Sequence, residues 1–168
     1  RAVELGLITI NKTKSLAKSM LIFSIFSFVF LTVNIYSITN SYVNIVGVFV
    51  IGFIGVFLAY YYTANPLRLS ARKGLGELTV FLTFGPLLTL GSAFSMSNIP
   101  LDLTYESLKI FILVGIPLGL LTTNILLINQ FPDYNSDKKS GKINLVVLLG
   151  KRFSRWIYLF NLIIIFFS

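Results

Sequence analysis

Neither cysteine nor histidine occurs among the 168 residues of this chain. The first absence removes disulfides, thiolate metal ligands and cysteine nucleophiles together. The second removes imidazole acid–base chemistry, histidine metal sites and haem ligation. Charge is scarce as well. Charged residues make up 12% of the sequence, about half the share usual in a soluble domain. No internal repeat or low-complexity linker interrupts the chain, so residues 1–168 read as a single helical domain. No basic segment with a short apolar core and a small-residue cleavage site opens it, and no signal peptide is expected.

What is abundant is apolar and arranged in blocks. Hydrophobic residues make up 55% of the sequence, and the mean hydropathy is +0.84. Residues 19–38, 43–62, 78–94 and 107–128 form runs near the roughly 17–25 residues needed to cross a bilayer. Lys109 is the one formal charge inside them. Four spanning helices are expected, and the lipid bilayer is the expected surroundings. A fifth apolar stretch begins near Trp156 and is still running at Ser168, too short to cross comfortably. The chain begins at Arg1 rather than methionine, and the expectation is an internal piece of a larger membrane protein, truncated at both ends.

A net charge of +8 invites a nucleic-acid reading, but its distribution argues against that partner. Arg1, Lys12, Lys14 and Lys18 precede the first run; Arg68, Arg72 and Lys73 follow the second; Lys138, Lys139, Lys142, Lys151, Arg152 and Arg155 follow the fourth. If the helices alternate, all of the fourteen basic residues except Lys109 fall on one side. The opposite loops, 39–42 and 95–106, contain no lysine or arginine. The positive-inside rule makes the basic side cytoplasmic, which for a prokaryote places the protein in the inner membrane. Orientation alone accounts for many of these residues, Arg1 to Lys18 in particular. Tyr60, Tyr61 and Tyr62 end the second run where amphipathic rings anchor at headgroups. Gly85–Pro86 and the pair Gly115 and Gly119 point to a bend and to close helix packing.

Two polar segments on the basic side carry the chemistry. Asp133 and Asp137 stand four residues apart just beyond the fourth run, with Asn129 before them and Lys138 and Lys142 after. Taken alone, they read as solvated loop acids. On a helix, however, the pair would share one face about 5–6 Å apart, and such oxygens suit Mg²⁺ that also takes phosphate oxygens from a ligand. In the other segment Arg68, Arg72 and Lys73 can donate charge-assisted hydrogen bonds to phosphate. Glu77 opens the third helix, where the helix dipole favours a carboxylate; the alternative is a carboxylate facing a cavity and accepting a proton from a substrate hydroxyl. Together the segments offer what a magnesium–diphosphate complex needs.

Three stretches carry a family resemblance: residues 1–9; Asn65-Pro66-Leu67-Arg68-Leu69-Ser70 with Gly74-Leu75-Gly76-Glu77 and Phe84-Gly85-Pro86; and residues 129–150. The chain resembles the UbiA-type intramembrane aromatic prenyltransferases, most closely those acting on 1,4-dihydroxy-2-naphthoate in menaquinone and phylloquinone synthesis. The resemblance implies an all-α, polytopic transmembrane bundle of about nine helices, five of them present. It implies Mg²⁺, a polyprenyl diphosphate donor and an aromatic acceptor. Asn129, Asp133, Asp137 and Lys142 match the family's second aspartate-rich motif, and Arg68 and Glu77 match its central loop. In these terms Asp133 and Asp137 are metal ligands, and they are catalytic together with Glu77. Arg68, Arg72, Lys73, Asn129, Lys138 and Lys142 would bind diphosphate. Two departures stand out. The first motif, a run like Asn-Asp-x-x-Asp-x-x-x-Asp, would lie upstream of Arg1, so the piece alone should be inactive. Pro132 stands where the family often has arginine, a contact that Arg72 or Lys138 would have to replace. Other branches acting on 4-hydroxybenzoate or chlorophyll precursors, and a non-enzymatic transporter or scaffold, are the competing expectations.

Overall fold

The computed structural model describes residue 6 and residues 8–97 and 104–168. The expectations for Arg1, for most of residues 1–9 and for the centre of the 95–106 loop lie outside them. All regular structure among the described residues is helical: α1 (Ile10–Thr39), α2 (Tyr42–Thr63), a 3₁₀ turn (Leu69–Ala71), α3 (Leu75–Phe84), α4 (Pro86–Met96), α5 (Tyr105–Lys139) and α6 (Leu145–Phe167). Among the described residues, four units are long and apolar enough to cross a membrane: α1, α2, α3 with α4, and α5. That matches the four expected spans. The polytopic helical character inferred from the apolar runs is borne out.

Local chemistry sets the helix ends. Thr9 accepts from Lys12 N and starts α1 well before its apolar run, so Lys12, Lys14 and Lys18 ride on the helix. Asn40, at φ 52°, closes α1, and Ser41 immediately caps α2 by accepting from Asn44 N. Asparagine tolerates this left-handed geometry better than most residues, and the tight reversal makes α1 and α2 antiparallel neighbours.

The third apolar run is two helices rather than one. Pro86 has no N–H to give to the preceding turn and its ring crowds that turn, so α3 ends at Gly85 and α4 begins. The break also serves packing. A Cβ on Gly85 would stand 2.5 Å from Gly115 O and 2.9 Å from Gly119 Cα, so these glycines let the α3–α4 joint lie directly on α5. Thr89 Oγ1 adds a hydrogen bond to Phe111 O at 2.7 Å.

Helix α5 is the centre of the bundle and packs on α3, α4 and α6. Its 35 residues span about 52 Å, well beyond a hydrocarbon layer of about 30 Å. The aspartate segment, expected as a loop, is therefore the continuation of this helix. Helix α6 likewise starts at Leu145, before the apolar stretch expected from Trp156, and Gly150 at φ 80° interrupts it. Lys151, Arg152 and Arg155 thus sit on a helix rather than in a connection. Between α5 and α6 a buried amide pair spans the apolar zone: Asn161 Nδ2 donates to Asn124 Oδ1 at 2.8 Å, and Asn124 Nδ2 to Tyr158 O at 3.2 Å. Along the spans many large apolar side chains face outward, as lipid contact requires.

Candidate functional site

The polar segments at the basic end meet. Ile143 N donates to Ala71 O at 3.0 Å, and Leu145 N donates to Glu77 Oε1 at 2.9 Å. One bond joins the α5–α6 turn to the segment after α2, and the other joins it to the first turn of α3. Gly76 permits that segment to fold tightly, since a Cβ there would lie 2.9 Å from Ser70 Cα.

Glu77 is 4% exposed. Its Oε1 accepts from Gln130 Nε2 at 2.7 Å as well as from Leu145 N, so one oxygen braces α3, α5 and α6 together. Its Oε2 and Gln130 Oε1 are buried without a hydrogen-bond partner among the described residues. Glu77 is thus more than a helix-dipole residue: it is the joint on which the turn hangs.

Asn129, Asp133 and Asp137 follow one another at four-residue spacing along α5, each step turning about 40° around the helix. Asn129 and Asp133 are exposed, and the Asp133 carboxylate has no hydrogen bond or ion pair among the described residues. Asp137 is different. Its side chain is 14% exposed, and Oδ2 accepts from Lys142 Nζ at 3.1 Å and from Asn144 Nδ2 at 2.7 Å. Its Oδ1 has no partner among the described residues. Lys142, expected to bind diphosphate, is here paired to Asp137.

The basic residues of the other segment are held in unusual backbone geometry. Arg68 and Lys73 have φ of 40° and 35°, a left-handed conformation that is costly for residues other than glycine and is often found at functional sites. Arg72 Nη2 donates to Pro66 O at 2.6 Å. Among the described residues, Arg68, Arg72 and Lys73 make no ion pair with Asp133 or Asp137. The structure brings their segment to the aspartates' end of the bundle without joining the side chains. Lys138 lies 5.9 Å from the Tyr134 ring centroid and Lys151, from α6, 5.3 Å. Both are within the range of cation–π attraction.

Three residues were not named as site residues from the sequence. Lys151 follows the Gly150 break, Gln130 is a buried amide at the edge of an apolar helix, and Asn144 precedes an apolar run as an N-cap does. Only the last has a local signature.

The donor set can be weighed against Mg²⁺. No three acidic, histidine or cysteine side chains cluster among the described residues, so these residues offer no complete cage. Two carboxylates on one helix face, one of them unpaired, do fit a cation that completes its shell with phosphate oxygens.

The pattern of the UbiA prenyltransferase family matches residues 7–168. The chain is 35% identical over 108 residues to UbiA prenyltransferase domain-containing protein 1 of Dictyostelium discoideum, covering 64% of this chain and 30% of that protein. It is 32% identical over 112 residues to 1,4-dihydroxy-2-naphthoate octaprenyltransferase of Escherichia coli (strain K12), covering 67% and 34%. Against the 2-carboxy-1,4-naphthoquinone phytyltransferase of Synechocystis sp. the identity is 33% over 99 residues, covering 59% and 30%. The matched part thus spans about a third of the length of these relatives. No solved structure matches the chain significantly.

Proposed function

Because the chain belongs to the UbiA prenyltransferase family, we propose that the protein transfers a polyprenyl or phytyl group from its diphosphate to an aromatic quinone precursor, 1,4-dihydroxy-2-naphthoate above others. The observation that carries this reading is the convergence of the two polar segments. The bonds Ile143 N to Ala71 O and Leu145 N to Glu77 Oε1 set acidic and basic groups at one end of an apolar bundle. Relatives named 1,4-dihydroxy-2-naphthoate octaprenyltransferase and 2-carboxy-1,4-naphthoquinone phytyltransferase support the choice of acceptor.

In this reading Asp133 and Asp137 hold Mg²⁺. When bound, the ion supplies charge neutralisation on the diphosphate. Arg68, Arg72, Lys73, Asn129, Lys138 and Lys142 donate to phosphate oxygens. These contacts stabilise the charge that develops as the allylic C–O bond breaks and the electron pair leaves with pyrophosphate. The prenyl carbon then bonds to an electron-rich ring carbon. Aromaticity returns by loss of a ring proton, or of carbon dioxide where that carbon bears a carboxylate. Glu77, through its brace on Leu145, keeps the two segments together. A cleft of about 320 Å³ between α2 and α3, lined by Leu58, Tyr62, Thr79, Thr83 and Phe84 among others, is of ligand size and supports an apolar place for a ring or prenyl segment. The basic end faces the cytoplasm, in a prokaryote across the inner membrane.

The test is a product assay on the full-length protein with 1,4-dihydroxy-2-naphthoate and 4-hydroxybenzoate as acceptors. Asp133→Ala and Asp137→Ala are each expected to lower magnesium-dependent transfer by about 100–1,000-fold, the scale of losing one preorganised electrostatic group. Turnover at the native rate in a folded double variant would remove both aspartates from the reaction. Faster transfer to 4-hydroxybenzoate would move the protein to another branch of the family.

A further inference from the structure

Asn144 is 1% exposed, and both ends of its amide are committed. Oδ1 accepts from Val147 N at 2.8 Å and caps α6. Nδ2 donates to Asp137 Oδ2 at 2.7 Å. The backbone around it is pinned on both sides, by Ile143 N on Ala71 O and by Leu145 N on Glu77 Oε1. The amide therefore arrives at Asp137 from a fixed point. With Lys142 Nζ on the same oxygen at 3.1 Å, two donors fix the orientation of the carboxylate and leave Oδ1 without a partner among the described residues. Asp133, four residues earlier, has no such support.

A helix cap needs an acceptor and nothing more. Serine and threonine cap well, but one hydroxyl oxygen cannot occupy both positions of the amide. Aspartate would cap too, but would set a like charge against Asp137. Asparagine combines an acceptor for the helix with a neutral donor for the carboxylate. We infer that Asn144 is a positioning residue for Asp137, orienting its carboxylate so that Oδ1 faces a divalent cation brought in by a diphosphate. The inference rests on the reading of Asp137 as a cation ligand. It gives the two aspartates different tasks: Asp137 is held ready, and Asp133 is recruited when the cation arrives.

The experiment measures Mn²⁺ binding to the full-length protein by electron paramagnetic resonance in the presence of inorganic pyrophosphate, without turnover. Asn144→Ser keeps the cap and takes the donor away from the position that Nδ2 holds beside Asp137. Its Mn²⁺ dissociation constant is expected to rise about tenfold, the lower end for loss of a group that orients a metal ligand, with the unfolding temperature in detergent unchanged. Asp137→Ala, measured in parallel, is expected to weaken binding further. Native Mn²⁺ affinity in Asn144→Ser beside weakened binding in Asp137→Ala would overturn the positioning role while leaving the site reading intact. A lowered unfolding temperature with native affinity would do the same and reduce Asn144 to a cap. Native affinity in Asp137→Ala would overturn the site reading and this inference with it. Should the serine variant not fold, Asn144→Thr is judged by the same outcomes.

Discussion

Helix α1 and the lower end of α5 differ in almost every respect that matters for function. Of the 30 residues in α1, two are buried, Ile35 and Thr39, and its large side chains, Phe23, Phe26 and Phe30 among them, face outward. Its polar side chains mostly bond back to their own helix, as Ser19, Ser24 and Asn34 do. The α5 end instead spends its polar atoms on distant partners: Gln130 reaches Glu77, and Asp137 binds Asn144 across a helix boundary. A helix that meets lipid can be specified by hydropathy alone. An end that is to meet a charged ligand, as proposed for α5, needs named partners at fixed distances. Tolerance to substitution should differ accordingly.

The largest stability effect is expected at the joint. Glu77→Ala leaves the buried Gln130 Nε2 and the half-buried Leu145 N without an acceptor. At about 1–3 kcal/mol for each unsatisfied buried group, a loss of about 3 kcal/mol is expected in unfolding measured in detergent. Hydrogen exchange of the Leu145 amide should rise with it. Unchanged protection of that amide would show the brace to be dispensable. Next comes Gly85→Ala, whose methyl would press on Gly115 O and Gly119 Cα. Overpacking of this kind costs about 1–3 kcal/mol, and a native unfolding temperature would mean the α3–α5 crossing can widen. Arg68→Ala should act on one substrate: KM for the prenyl diphosphate is expected to rise about tenfold, corresponding to about 1.4 kcal/mol of a charge-assisted hydrogen bond. Equal rises for donor and acceptor would make Arg68 a structural residue. The smallest effect should come from α1. Phe26, 69% exposed, should accept leucine within about 0.5 kcal/mol; a larger loss by the same unfolding assay would reveal a partner for that face.

Hydropathy located the four spans because the bilayer selects for apolar length, and Pro86 with Gly85 marked the bend through steric rules that act within a few residues. The helix ends were harder. Residues 129–139 contain asparagine, proline and aspartate, which favour turns in isolation, yet α5 continues through them to Lys139. Tertiary bonds from Gln130 and Asp137 hold the helix on either side of Pro132. The spacing of Asp133 and Asp137 was visible because a helix face is a local property. The partnership of Glu77 with Gln130, 53 residues apart, was not, since one isolated sequence records no distance between segments. The pairing of Lys142 with Asp137 spans only five residues, but it depends on the fold of the turn after Lys139, which the spacing alone does not set.

Because both carboxylates belong to one uninterrupted rod, their bearing is governed by arithmetic far up the chain. A single residue added to α5 between Gly119 and Asn129 would swing Asp133 and Asp137 about 100° around the axis, whereas the same addition in a flexible tether would leave them where they are. The count of residues that precede the aspartates within the helix is therefore as constrained as the short turn beyond Lys139, whose Lys142 and Asn144 must still reach Asp137.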